Sequence, residues 1–193
     1  MRPNEIEKCA NEVLDRFNIS SQPYQYIKTI CNSEKITIKR TAFSSNMDGA
    51  FSVIENQKYI FYNSTMITGR QNFTKAHELG HYFLNHSLEN GNAIYCYNQN
   101  ISENHTQSVP KIETEANCFA TFFLMPKEQL ISDYITIADI MNINLNCPLY
   151  VDRQPCNYKD WIVVSNNLTA RYGVSKEALR YRMETLGILK FNL

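Results

Sequence analysis

Two histidines and a glutamate near the middle of the chain carry the first chemical signal. In Phe73-Thr-Lys-Ala-His-Glu-Leu-Gly-His81, His77 and His81 stand four residues apart. On a helix that spacing separates them by only about 40° around the axis, so both imidazoles can reach one metal ion. Glu78 lies one step round from His77, where its carboxylate can hydrogen-bond a water on the metal without ligating the metal itself. Ala76, Leu79, Gly80 and Phe83 give this helix a small, apolar flank suited to burial. The pattern is HExxH, in which two imidazoles hold zinc and the glutamate serves as a base. The alternative, a chance pentapeptide with two half-buried histidines, is made rare by a total of four histidines.

A catalytic zinc has three protein ligands and an open position. Three candidates compete for the third place. A third histidine beyond a glycine turn would stand six residues after His81, but Asn85 is not that glycine and His86 is only five residues on. On a continuing helix His86 points about 140° from His81, which makes it a structural residue or a neighbour of the ligands. An upstream cysteine is excluded, since none lies between Asn32 and His77. There remains a carboxylate on a second helix, Lys111 to Pro126. Glu113, Ala116, Asn117 and Ala120 share one face of it, and the small residues let two helices approach closely. Glu115 lies about 200° round from Glu113 and faces elsewhere. As a first-turn acid, Glu115 is accounted for by the helix dipole. Glu113 is therefore the expected third ligand.

The elements that must position these residues are partly legible. Ile6, Cys9, Ala10, Val13, Leu14 and Phe17 recur at helical spacing, predicting an amphipathic helix that ends near Asn18. A shorter helix is expected over Pro23 to Cys31. The period then changes to two: Ile36, Ile38 and Phe43 mark one strand. Ala50 to Glu55 and Lys58 to Tyr62 mark two more, with a tight turn at Asn56-Gln57. Asn72 or Thr74 is expected to cap the histidine helix, which should run to about Asn85. Residues His86 to Ser108 are polar and aperiodic, and a connection of that length suggests a loop that gates the site. Ser108 and Pro110 should start the second helix, and Met125-Pro126 should end it. Between Asp133 and Tyr158 the isoleucines at 135, 137, 140 and 143 fit either a strand or a helix, and Pro148 to Pro155 reads as irregular. Two helices, Lys159 to Tyr172 and Lys176 to Leu186, close the chain, with Gly173 at their turn and Ser175 as cap.

Composition narrows the class. Of 193 residues 44% are apolar and 12% aromatic, which excludes a disordered or fibrous chain. Nineteen basic residues against nineteen acidic ones argue against a surface built to bind nucleic acid or anionic membrane. No apolar run approaches the roughly 18 residues of a spanning helix, and the charged start does not resemble a signal peptide. A cytoplasmic protein with free thiols is the expectation. Six cysteines form no CxxC pair, and Cys147 with Cys156 is the one pair worth testing for a bridge.

Taken together, Asn72 to His81, the Glu113-Thr-Glu-Ala-Asn117 run with Phe119-Ala120, and Leu124-Met-Pro126 resemble the ImmA/IrrE family of zinc metallopeptidases. The tail from Tyr172 to Arg182, followed by Leu186-Gly187, is also similar to that family. The resemblance covers about Ile36 to Leu189, leaving Thr136 to Lys159 unmatched. It implies zinc held by His77, His81 and Glu113, with Glu78 as general base. It further implies that the substrate is a helix-turn-helix repressor, often one encoded alongside on a phage or mobile element. The fold expected is α+β and zincin-like: a small antiparallel sheet, an HExxH helix, a Glu-bearing helix and a C-terminal helical hairpin. Residues 1–134 would form the metallopeptidase domain, and residues 135–193 a helical region packed on it.

In such a site zinc acidifies its water and polarises the scissile carbonyl, while Glu78 moves the proton to the leaving amine. An extended peptide could pair with an edge strand beside the site. Candidate oxyanion donors are Tyr95, Tyr97 and His105 in the long loop, or Tyr172, Tyr181 and Arg182 in the tail, although each also suits a surface or packing role. The competing class is a zinc-bound regulator that acts by binding DNA or the repressor without proteolysis. Helix, glycine turn and capped helix over Thr169 to Arg182 have the outline of a DNA-binding hairpin. From Lys159 on, however, six basic residues face three acidic ones, no more than a solvated helix carries. An intact Glu78 also argues for catalysis.

Overall fold

The computed structural model describes residues 1–43, 46–87, 93–97 and 110–192. The chain divides into two units, Met1–Leu124 and Met125–Leu193. The architecture is α+β.

In the first unit the two-residue period forms strands β1 (Ile36–Thr41), β2 (Met47–Ile54) and β3 (Gln57–Asn63). β2 and β3 are antiparallel with Ile54 opposite Gln57, so the turn is Glu55-Asn56, one residue earlier than expected. Both turn residues have positive φ, 49° and 62°, matching the twist of a two-residue hairpin. β1 stops at Thr41, short of Phe43, and pairs in parallel with β3. The sheet, in the order β1-β3-β2-β4, is thus mixed rather than wholly antiparallel. The chain reverses between β1 and β2 and again between β2 and β3, so β1 and β3 run the same way. β1 takes the edge of β3 that the hairpin leaves open.

On the other side of β2 lies β4 (Ala93–Tyr97), within the stretch expected to be an aperiodic connection. Ala93-Ile-Tyr-Cys-Tyr97 is a short continuous apolar run with no alternation to betray a strand. Residues 88–92 and 98–109 lie outside the described residues. With them go the expected gate, His105 and the cap Ser108.

Helix α1 (Pro3–Arg16) buries Ile6, Ala10, Val13 and Leu14, the stripe its period predicts. A 3-10 turn, Pro23–Tyr26, leads into α2 (Ile27–Ser33). The histidine helix, α3 (Thr68–Phe83), begins more than a turn before Asn72 and Thr74, which are buried inside it rather than capping it. Its first turn has no apolar stripe to announce it. Side chains hold it instead: Arg70 Nη2 lies 2.6 Å from Asp48 Oδ2, and Gln71 Nε2 donates to the Met66 carbonyl at 2.7 Å. α4 (Lys111–Leu124) ends at Met125-Pro126 as expected. α3 is sandwiched between the sheet and α4, and α1 packs on α4.

The second unit opens with α5 (Lys127–Met141), so the ambiguous isoleucines are helical. Its buried stripe is Leu130, Tyr134 and Ala138, whereas Ile135 and Ile140 are exposed. The expected boundary at 134/135 falls inside this helix. Two three-residue strands, β5 (Leu149–Val151) and β6 (Leu189–Phe191), pair in parallel and are too short for alternation to reveal. Between them run α6 (Pro155–Tyr172) and α7 (Lys176–Thr185). Gly173 has φ 62° at the turn, and Ser175 Oγ accepts the Ala178 N–H at 3.2 Å. Among the described residues no helix is long and apolar enough to cross a membrane. Cys147 and Cys156 are free thiols rather than a bridge.

Candidate metal centre

α3 turns His77, Glu78 and His81 inward, and all three are buried. The four-residue spacing brings the two histidines together: His77 Nε2 and His81 Nε2 are 2.9 Å apart. Glu113, from the first turn of α4, reaches the same point. Its Oε2 is 3.1 Å from His77 Nε2, and its Oε1 is 3.3 Å from His81 Nε2. α4 comes close enough because Gly80 faces it. A Cβ on Gly80 would stand 3.2 Å from both Ala116 Cα and the Ala116 carbonyl oxygen.

The back of each imidazole is also held. Asn117 Oδ1 accepts from His77 Nδ1 at 2.8 Å, leaving the His77 Nε2 lone pair directed at Glu113 and His81. His81 Nδ1 meets His86 Nδ1 at 2.9 Å, and His86 Nε2 lies 3.1 Å from Glu115 Oε2. α3 ends at Phe83 and Asn85 has φ 53°, so His86 is not carried round the helix away from His81 but folds back against it, a neighbour of the candidate ligands. Glu115 does face away from the ligand point, but it is buried and engaged rather than a plain first-turn acid. Its other oxygen contacts the Met1 amine, with Lys111 Nζ 3.8 Å away.

The electrostatics suit a cation. Burial holds His81 below the ordinary imidazole range, so it is neutral and able to donate a lone pair. His86 is pushed down to about 4 by burial and then by His81. Burial alone would raise Glu113, but hydrogen bonds and charge from His77 and His81 outweigh it and hold the carboxyl at about 2. Two imidazole nitrogens at 2.9 Å need a proton or a cation between them, and an anionic carboxylate closes the third side. That donor set fits a divalent metal ion.

Glu78 is the outlier. It is fully buried, yet neither carboxylate oxygen has a hydrogen-bond partner among the described residues. Burial, and then the charge of Glu113, push its pKa well above the carboxylate range. The backbone N–H of Phe51 is near enough to temper that rise but makes no hydrogen bond. An unpartnered buried carboxylate beside a candidate metal site is the kind of group that can exchange a proton with something small that enters.

Sequence reasoning missed two contributors. Gly49 on β2 has no room for a side chain: a Cβ there would lie 2.5 Å from Thr74 Cγ2 and 2.8 Å from Glu78 Oε1. A lone glycine inside a strand was the available signal of such close approach. Cys96 on β4 places its sulfur within 4.8 Å of ligand atoms of both His77 and Glu78. Of the expected oxyanion donors, Tyr95 is exposed, and Tyr97 and His105 offer no described side chain. In the second unit Tyr181 is exposed. Tyr172 is buried and donates to Asp133 Oδ2 at 2.6 Å, and Arg182 is buried and donates from Nε to the Met125 carbonyl.

No curated protein matches the chain. The Peptidase_M78 family model, the IrrE N-terminal-like domain, matches residues 31–184, a span that takes in β1 to β4, α3 and α4 together. With the buried His77, His81 and Glu113 cluster inside that span, the chain belongs to the Peptidase_M78 family of metallopeptidases.

Proposed function

We propose that the protein is a zinc-dependent endopeptidase of the cytoplasm that cleaves a helix-turn-helix transcriptional repressor. The observation that carries the catalytic part is the pairing of a three-ligand cup, His77, His81 and Glu113, with the unpartnered Glu78 beside it. Zinc held by those three residues supplies Lewis acidity toward a peptide carbonyl and lowers the pKa of water. Glu78 takes the proton from the attacking water and delivers it to the leaving amine nitrogen. Its burial raises its proton affinity, which makes it a stronger base than an exposed glutamate. Gly49 keeps the space beside Glu78 free of a side chain.

An extended peptide is the substrate form that the sheet favours. Among the described residues β4 is an edge strand in the order β1-β3-β2-β4. Cys96 on β4 is close to His77 and Glu78, so a segment added along this edge would run past the site. The repressor itself is the substrate that the family resemblance implies.

Co-expression with the repressor encoded nearest the gene, followed by intact mass, tests the reading. Wild type is compared with Glu78→Gln, with zinc content measured on both. One new fragment pair seen only with wild type is the expected result. An uncut repressor held in a stable complex by fully zinc-loaded protein would replace it with regulation by binding.

A further inference from the structure

The contacts behind the two imidazoles are unequal. His77 leans on a neutral amide, Asn117. His81 leans on His86, which in turn leans on the carboxylate of Glu115. For His81 Nε2 to offer a lone pair, its proton must sit on Nδ1. That proton can only be donated to His86 Nδ1, 2.9 Å away, which must then be the unprotonated nitrogen of its ring. The His86 proton is thereby placed on Nε2, 3.1 Å from Glu115 Oε2, which accepts it. One anionic carboxylate thus sets the tautomers of two histidines in series. All members are shielded from water: the side chains of His81, His86 and Glu115 are no more than 10% exposed. In such surroundings each hydrogen bond is electrostatically stronger than in water.

We propose that His86 and Glu115 are positioning residues for the metal centre, acting through His81. They fix its ring orientation and tautomer and make it the more strongly donating of the two imidazoles. The inference rests on the metal reading above and extends it to two residues that touch neither metal nor substrate. It also explains why a glutamate on the far face of α4 from Glu113 is buried. The same first turn of α4 supplies one carboxylate as a ligand and a second that works from behind a ligand.

The test separates shape from hydrogen bonding. His86→Phe keeps a planar ring but neither accepts nor donates, whereas His86→Gln can accept from His81 and donate to Glu115. Zinc affinity is read by chelator competition and the ligand field by the visible spectrum of the cobalt-substituted protein. Circular dichroism and thermal melting of the metal-free proteins show that each variant folds. His86→Phe should weaken zinc binding roughly 10- to 100-fold and shift the cobalt bands. His86→Gln should restore most of the affinity, and Glu115→Leu should fall between them. Equal zinc affinity and unchanged cobalt bands in His86→Phe, His86→Gln and wild type would overturn the positioning role while leaving the metal site standing. A folded wild-type protein that takes up no zinc would overturn the metal reading and this inference with it.

Discussion

At the scale of single residues the proposed function assigns holding a metal and moving a proton to different side chains. On that reading His77→Ala removes one of three proposed ligands and should lose both zinc and hydrolysis. Glu78→Gln should keep zinc stoichiometry while lowering turnover about 10²- to 10⁴-fold, the usual contribution of a general base. Zinc analysis beside a cleavage assay distinguishes the two, and zinc loss in Glu78→Gln would make it a ligand instead. Gly49→Ala bears on the same carboxylate, since the new methyl group must displace Glu78 Oε1 or Thr74. It should retain zinc and drop kcat about tenfold or more, because misplacing a catalytic group is costly. Unchanged kcat would mean the glycine serves packing alone. A different residue gives a pH prediction. Burial pushes the Cys31 thiol up to about 12 from 9.0, outweighing the Lys75 ammonium, which favours the thiolate. The folded chain keeps a proton that the unfolded chain releases. The stability linked to it is complete below about pH 9 and is lost as the pH rises from there toward about 12. Alkylation at about pH 8.5 should modify exposed Cys147 and Cys156 and spare Cys31. Equal labelling of all three, read by peptide mass, would contradict this.

At the scale of elements the centre depends on how closely α4 approaches α3. Gly80 sits at that crossing, and a methyl group on it would stand 3.2 Å from Ala116 Cα and from Phe119 Cβ. Gly80→Val should overpack the crossing and destabilise the protein by about 1–3 kcal/mol. Because Glu113 rides on α4, zinc affinity should fall as well. Denaturation and chelator titration check both, and a variant as stable and as tightly zinc-bound as wild type would show that the helices have slack. The same crossing is foreshadowed in the chain by Ala116, Asn117 and Ala120 beside Glu113. Other elements are less legible. α5 carries isoleucines on its exposed side, so their pattern points to no single structure, and its real stripe is Leu130, Tyr134 and Ala138. The start of α3 escapes a reading by period because an ion pair, Arg70 with Asp48, stabilises a turn that has no apolar periodicity.

At the scale of the whole molecule the balanced charge leaves little for nucleic acid. Within the second unit Arg171 Nε lies 2.5 Å from Asp133 Oδ2, Arg180 pairs with Glu184, and Arg182 is buried. Three of the six cations from Lys159 on are thus paired or buried within the unit, and Lys159, Lys176 and, on β6, Lys190 are exposed. No salt-sensitive shift of duplex DNA is expected at micromolar protein. A shift that weakens steeply with added salt would assign the hairpin a DNA-binding role.

The local pattern of the chain by itself determined the helix with His77, Glu78 and His81 on adjacent faces. It likewise put Glu113 on the small-residue face of a second helix, and marked the hairpin, the amphipathic first helix and the capped C-terminal pair. Each of these follows from periods and end signals that act within a few residues. Tertiary structure alone decided that β1 would join β3 in parallel, that β4 would pair with β2 beside the site, and that Gly49 would clear space for Glu78. It also decided that Glu115 would reach His81 through His86. Those outcomes depend on which distant surfaces meet, and the periods that mark helices and strands carry no information about contacts between residues so far apart along the chain.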